Sequence, residues 1–409
     1  MATPPVNLGV FSPRETPWDN DKIFTALSPS GRHLMFLYPI EVEKAPADED
    51  DLSWQFDHPL DCYDLVQAGR KLPEAPYAAI GDLLTRAGMD YAVAGKSDSY
   101  NVHNSFNMEG KRRLRGFYLY RNLIALIIST TVKGKNCFAV FVDEIDLEGH
   151  KLGRAAMIGP SVFDSRRLHI CQQGNQLYLL YLKSCNGQVC LNSYDLERRS
   201  CCSMVLRLGT YVNLFWHTYK CCMSVLGEEL FVLFVGEPNR RGRLKFLLKL
   251  EADRLVPKSL LSDPKFGLPP IPNPTSDYVP QRKRLASAAF GNKVYTVFCE
   301  ESEISLWYVD LWALQWQKLE INFDLKDCCH PDAIASFHCT SAGKAVVAAD
   351  CGRVLDMVHC FSFWLQVPNL ATLAAEQLRF LAVRQTDCSL RQFLTKIGVA
   401  ESRIDLLLE

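Results

Sequence analysis

Basic side chains stand at similar places between apolar runs: Lys133 and Lys135, then Lys183, then Arg240, Arg241 and Arg243, then Arg353. Arginines gathered near a pocket can grip a carboxylate, a peptide C-terminus included, through bidentate hydrogen bonds. Another run carries acids at the same place, Glu300, Glu301 and Glu303. Loop arginines taken singly also serve to keep a surface solvated. Cys185 and Cys190, and the compact Cys328-Cys329-His330, do not supply the paired four-ligand spacing of a zinc site. The acids from Glu41 and Glu43 through Asp48, Glu49, Asp50 and Asp51 read as a solvated loop, since calcium needs an ordered oxygen cage. No phosphate loop, dinucleotide-binding glycine motif, zinc-protease histidine pair or nucleophile elbow occurs, and the nine histidines are scattered. The expectation is a chain with no catalytic residues, no metal and no cofactor.

The 409 residues carry a formal net charge of -1, so no general field draws the protein to nucleic acid or to a membrane. Lys111-Arg112-Arg113 and Arg282-Lys283-Arg284 could act as import signals, although solvated loops look the same. Hydrophobic residues make up 48%, ample for a large core. There are sixteen cysteines, three pairs of them adjacent: Cys201-Cys202, Cys221-Cys222 and Cys328-Cys329. Met1 to Phe11 shows no export signal and no apolar run is long enough to span a bilayer, so reduced thiols in cytoplasm or nucleus are expected. Cys137, Cys299 and Cys360 sit in apolar runs and read as small buried hydrophobes.

These side chains need elements to hold them, and the elements repeat. Two apolar runs and a turn lead to Tyr63-Asp64-Leu65, Ile145-Asp146-Leu147, Tyr194-Asp195-Leu196 and Val309-Asp310-Leu311, with degenerate copies at Leu250-Glu251 and Phe361-Ser362. Runs of Val, Ile, Tyr, Phe and Leu between Gly, Asn, Asp and Pro read as short strands. Most copies are about fifty to sixty residues apart, a spacing that suits radial repetition of small sheets. The sequence therefore predicts an all-β chain, a six-bladed β-propeller over residues 1–367, with a seventh blade allowed near Tyr91-Ala92-Val93. Insertions are expected at about 81–110 and 257–280, the second because its prolines break regular elements. A strand near Val6 to Phe11 is expected to close the ring in the final blade. In such a ring the connections between second and third strands emerge on one face, and the basic residues named above fall there. That makes the face a candidate substrate-binding surface.

Val294-Tyr295, Leu306-Trp307-Tyr308-Val309-Asp310-Leu311 and Trp316-Gln317-Lys318-Leu319 resemble a Kelch repeat. The resemblance implies that the tryptophan packs between blades and the aspartate turns the chain. The double glycine of that family is absent, with Phe298-Cys299-Glu300 and Phe234-Val235-Gly236 in its place.

Residues 368–409 read as a short α-helical tail: Asn369 could cap a helix, and Leu370, Leu373, Ala374, Leu378, Leu381 and Ala382 follow at helical spacing. Asp387 or Ser389 could cap a second, stopped by Gly398. Leu370, Leu373, Ala374 and Leu378 are similar to the elongin-binding box of SOCS-box proteins, with alanine where cysteine is usual and no later proline motif. The resemblance implies helix-in-groove docking of elongin B/C, with a cullin beyond it. The same stripe also suits a helix folded back on the ring. Two functions follow: a non-enzymatic propeller that holds a protein substrate for an elongin–cullin ubiquitin ligase, or an intracellular scaffold whose tail packs on the ring. Neither involves nucleic acid or membrane.

Overall fold

The computed structural model describes residues 2–11, 24–28, 31, 33–37, 60–65, 70–71, 113–120, 123–132, 135–144, 156–183, 188–207, 218–226, 229–236, 244–251, 254–267, 269, 285–300, 303–323, 333–350 and 358–368, with single positions beyond. These residues are almost entirely strand. After β1 (Val6–Phe11), the strands β2 (Phe24–Leu27), β3 (His33–Leu37), β4 (Leu60–Asp64) and β5 (Arg70–Lys71) form one antiparallel sheet in chain order. β6 (Arg113–Tyr120), β7 (Leu123–Val132), β8 (Lys135–Glu144), β9 (Ala156–Gln173), β10 (Gln176–Lys183), β11 (Val189–Asp195) and β12 (Ser200–Leu206) form a seven-stranded one. β13 (Thr218–Leu226), β14 (Glu229–Gly236), β15 (Leu244–Glu251) and β16 (Arg254–Lys258) make the next. β17 (Leu261–Ser262) adds in parallel to the outer side of β18 (Leu285–Phe290), β19 (Lys293–Glu300), β20 (Glu303–Asp310) and β21 (Gln315–Leu319). β22 (Ala333–Cys339), β23 (Lys344–Asp350) and β24 (Val358–Trp364) form the last sheet, whose fourth strand is β1.

The apolar runs are continuous rather than alternating because middle strands are buried on both faces. In β10, Leu177, Leu179 and Tyr181 join a core with Leu123, Ala125 and Val142 of β7 and β8, while Leu180 and Leu182 join one with Met223, Val232 and Leu248. In β14, Val232 faces back and Phe231 and Leu233 face forward, toward Trp307, Val309 and Trp316. β19 repeats this, with Val294 on one side and Tyr295, Val297 and Cys299 on the other. β23 and β24 pack on the preceding sheet through Val347, Phe361 and Phe363, and on the first sheet through Val346, Ala348 and Cys360, which meet Leu34, Phe36 and Tyr63. Face-to-face cores thus join the seven-stranded sheet to the β13–β16 sheet, that sheet to β18–β21, β18–β21 to the last sheet, and the last sheet to the first. The seven-stranded sheet obeys the same rule, because its β7–β8 part packs face to face on its β10–β11 part across the long β9.

The end strands β2, β6, β13, β18 and β22, together with the second half of β9, lie innermost. β2 packs against β6, β9 against β13, β13 against β18, β18 against β22, and β22 against β2. The side chain of Gln172 on β9 donates to the Leu119 carbonyl of β6 at 2.8 Å, and that of Gln173 exchanges bonds of 3.0 and 2.7 Å with the Val225 backbone of β13. Thr25 and His338 bond at 2.9 Å between β2 and β22. The circuit of inner strands is complete, and β1 locks it by pairing antiparallel with β24 from Val6↔Ser362 to Phe11↔Val358. Strand order, face-to-face packing and the inner circuit together define a β-propeller.

Three strand expectations need correction. From sequence, Leu214 to Tyr219 reads as the first strand of the 218–251 sheet, but that strand runs Thr218–Leu226; its Cys, Met and Ser residues give a weaker apolar signal than the aromatic run before it. From sequence, Val354 to Phe361 reads as the last strand, but that strand is Val358–Trp364. Pro257 does not break the chain: it pairs with Leu248 in β16, the last strand of its sheet among the described residues, where a missing N–H is tolerated. The remainder of 257–280 beyond Pro269, and all of 81–110, lie outside the described residues.

Candidate binding surfaces of the ring

The recurring Asp-Leu pair builds one end of the ring. Asp195 ends β11, and its carboxylate accepts from Asn175 Nδ2 at 3.2 Å, Gln176 Nε2 at 2.9 Å and the Arg198 backbone N–H at 2.9 Å. Asp310 ends β20 and accepts from Asn292 Nδ2 at 3.1 Å and the backbone N–H groups of Trp312 and Ala313 at 2.9 and 3.1 Å. In both corners the leucine that follows is buried and donates its N–H to the asparagine carbonyl at 2.9 Å. Gly174 and Gly291 precede those asparagines at φ 56° and 58°, and Arg199 and Leu314 leave the corners at φ 51° and 52°. The aspartate therefore ties the turn after the first strand to the turn after the third. In the last sheet Leu365 donates to Gly343 O at 3.0 Å and Trp364 pairs with Lys344, so Trp364-Leu365, not Phe361-Ser362, holds this place. The Gly174-Asn175 and Gly291-Asn292 turns were the available signal for the partner half of the corner, and sequence reasoning passed over them.

These turns share one end because the inner strands run in the same direction. Gly31 lies against Thr340 and Gly343 against Phe290, turn to turn between neighbouring sheets. Alternation of antiparallel strands then sends the connections between second and third strands to the opposite end. Lys183 ends β10 there, half-buried, with its N–H bonded to Gln188 O at 2.7 Å across the connection. Lys135 opens β8 at the same end, paired with Val132. Lys133, Arg240, Arg241, Arg243 and Arg353 lie in the matching connections by chain position but outside the described residues. Of the acidic group, Glu300 pairs with Glu303 at the end of β19, and Glu301 lies outside them.

A hydrogen-bonded network is buried in the β10–β12 part of the seven-stranded sheet. Asn192, fully buried, accepts from Ser203 Oγ at 2.6 Å and donates to Tyr194 OH at 3.2 Å. Burial raises the hydroxyl pKa of Tyr118, Tyr181, Tyr194 and Tyr295. It pushes the Cys339 thiol up to about 12 and the Cys201 thiol up to about 11, the latter with opposition from its bond to Tyr194. Thiols held protonated in this way are poor nucleophiles and poor metal ligands at neutral pH. Among the described residues no group of three or more His, Cys, Asp or Glu could hold a metal ion. None of their helices is long and apolar enough to cross a membrane.

In the tail, Ala374 is helical and exposed, and Gln392, Thr395 and Lys396 are helical and exposed further on. Leu370, Leu373 and Leu378 lie outside the described residues. The tail leaves the ring at the Asp-corner end, since Leu365 is bonded into the Gly343 turn.

No protein-family model and no curated protein matches the chain. It is similar in structure to the Dos1 propeller, at 10% identity and a TM-score of 0.33, covering 85% of this chain and 70% of that one. It is also similar to the β-propeller domain of the Trilobed protease from Pyrococcus furiosus, at 9% identity and a TM-score of 0.37, covering 85% and 97%. A third is the major Malassezia sympodialis allergen Mala s 1, at 7% identity and a TM-score of 0.39, covering 88% and 96%. At these values the propeller assignment rests on the strand topology itself.

Proposed function

We propose that this chain is a six-bladed, Kelch-like propeller that binds another protein through its second-to-third-strand connections and docks elongin B/C through its tail. Counting the two packed halves of the seven-stranded sheet as separate blades gives the six. The fully buried Trp316 between neighbouring sheets and the turn-forming Asp310 support the Kelch reading. The observation that carries the ligase reading is Ala374, which is helical and exposed rather than packed on the ring. A small exposed residue one turn past Leu370 permits the close approach that groove docking needs. The protein would then be a non-enzymatic substrate receptor of an elongin–cullin ligase, acting in cytoplasm or nucleus. It would position the substrate while its partners perform the ubiquitin chemistry.

The test is a pull-down of the purified full-length chain with the elongin B–C pair. Wild type binds, and Leu370→Ala abolishes binding without lowering the melting temperature. Absence of binding, or binding indifferent to this change, ends the ligase reading and leaves the propeller a scaffold.

A further inference from the structure

Polar groups inside a folded protein almost always find a hydrogen-bond partner, because an unmade bond leaves the full desolvation cost standing. Two side chains between the β13–β16 and β18–β21 sheets find none. Ser224 is fully buried, and its Oγ has no hydrogen-bond partner. Trp307 is 3% exposed, and its indole Nε1 is likewise buried without a partner.

Both lie in one seam, and the seam carries further hydroxyls. Ser224 stands opposite Phe231 across the β13–β14 ladder, so it lies on the face that packs into the core with Trp307. On the facing sheet, Ser287, Thr296 and Trp307 are successive partners across β18, β19 and β20, and they share one face. Ser287 Oγ and Thr296 Oγ1 bond to each other at 3.0 Å, and Thr296 is fully buried. The inner strands β13 and β18 pack directly on each other, which brings the strand of Ser224 to the inner end of this row. Phe266, from the segment after β17, meets Trp307 edge-on with 6.5 Å between ring centres. The rest of the shared core is apolar, with Phe231, Leu233, Leu285 and Phe298.

We infer that this seam is a binding site for one ordered water molecule, held by the Trp307 indole, the Ser224 hydroxyl and the Ser287–Thr296 pair. The donors and acceptors balance for water. An indole N–H only donates, whereas each hydroxyl both donates and accepts. In the Ser287–Thr296 bond one hydroxyl spends its proton and the other keeps its own, so the pair still offers one proton and spare lone pairs. The water accepts from Trp307 and donates to hydroxyl oxygens, reaching the two to four bonds that buried waters make. It joins the two sheets by polar bonds where their core is otherwise apolar, and so favours one register between them. This inference stands apart from the ligase reading, because it concerns the core between two sheets and not the ends of the ring or its tail.

The experiment uses the full-length chain, isotopically labelled at its seven tryptophans, and reads nuclear magnetic resonance transfer from water to the indole protons. The Trp307 signal is assigned by its loss in Trp307→Phe or, should that variant fail to fold, by through-bond assignment of the wild type. A rotating-frame Overhauser cross-peak from a long-lived water to the Trp307 indole proton is expected. Ser224→Ala and Thr296→Val remove one hydroxyl each at nearly constant shape. Each weakens or abolishes the cross-peak and lowers the urea midpoint of unfolding. The double variant loses less than the sum of the two, because both hydroxyls hold the same water. A wild type without the cross-peak overturns the inference. So does a midpoint that Ser224→Ala leaves unchanged or raises, which would mean that the hydroxyl is buried dry. Strictly additive losses overturn it as well, since the two hydroxyls would then share no water.

Discussion

Deleting residues 1–12 removes the strand that locks the ring, and the cost can be worked from its contacts. Leu8 is 7% exposed in the core shared by the last and first sheets, and its burial is worth about 2 kcal/mol. The ladder bonds from β1 to β24 contribute about 1 kcal/mol each. The freed residues regain about 1–1.5 kcal/mol each of backbone entropy, so these two effects roughly cancel. His359, 1% exposed and stacked on Phe361, loses its 2.7 Å bond to Asn7 Oδ1, at about 1–2 kcal/mol. Thr3 also releases the Trp364 backbone, to which it bonds twice at 2.9 Å. The expected loss is about 3–4 kcal/mol, a sizeable share of the ~5–15 kcal/mol that folded proteins possess. Urea unfolding followed by circular dichroism should show an earlier midpoint, and a synthetic 1–12 peptide added in trans should restore it by mass action. An unchanged midpoint would refute the closure argument, because it would mean β24 needs no outer partner.

Three further outcomes follow from particular contacts. Gly343→Ala should destabilise by about 2–3 kcal/mol in the same unfolding assay, since its Cβ would sit 2.6 Å from the Phe290 ring at a φ of +88°, and Gly174→Ala, with open space, should cost less. Asp310→Ala should cost about 1–2 kcal/mol by stripping the acceptor from Asn292 and two turn N–H groups; adding Asp195→Ala should be additive, and strong coupling between these separate corners would contradict their independence. Stability should fall as pH rises from about 9 toward 12, because ordinary thiols in the unfolded chain ionise near 9 while Cys201 stays protonated to about 11 and Cys339 to about 12. In that window the unfolded chain binds fewer protons than the folded one. Buried Tyr295 and Tyr194 add the same sign above 10, and equal urea midpoints at about pH 8 and about pH 10 under reducing conditions would refute it.

The sequence by itself determined the strands with strong apolar runs and the corners that punctuate them. Val294-Tyr295, Leu306 to Val309 and Trp316 to Leu319 were legible because local burial and turn chemistry both write themselves into residue type. So was the closing strand at Val6 to Phe11, which β24 accepts. What stayed hidden were elements with a weak apolar signal: β12, rich in Ser and Cys, and β13, whose Thr, Cys, Met and Ser residues give no continuous apolar run. The sequence could also nominate Lys135 and Lys183, but only the shared direction of the inner strands puts them at one end of the ring. Which strands pair with which depends on neighbours far apart in the chain. Side-chain alternation marks which face of a strand is buried. It carries no mark of what, if anything, pairs with the edge.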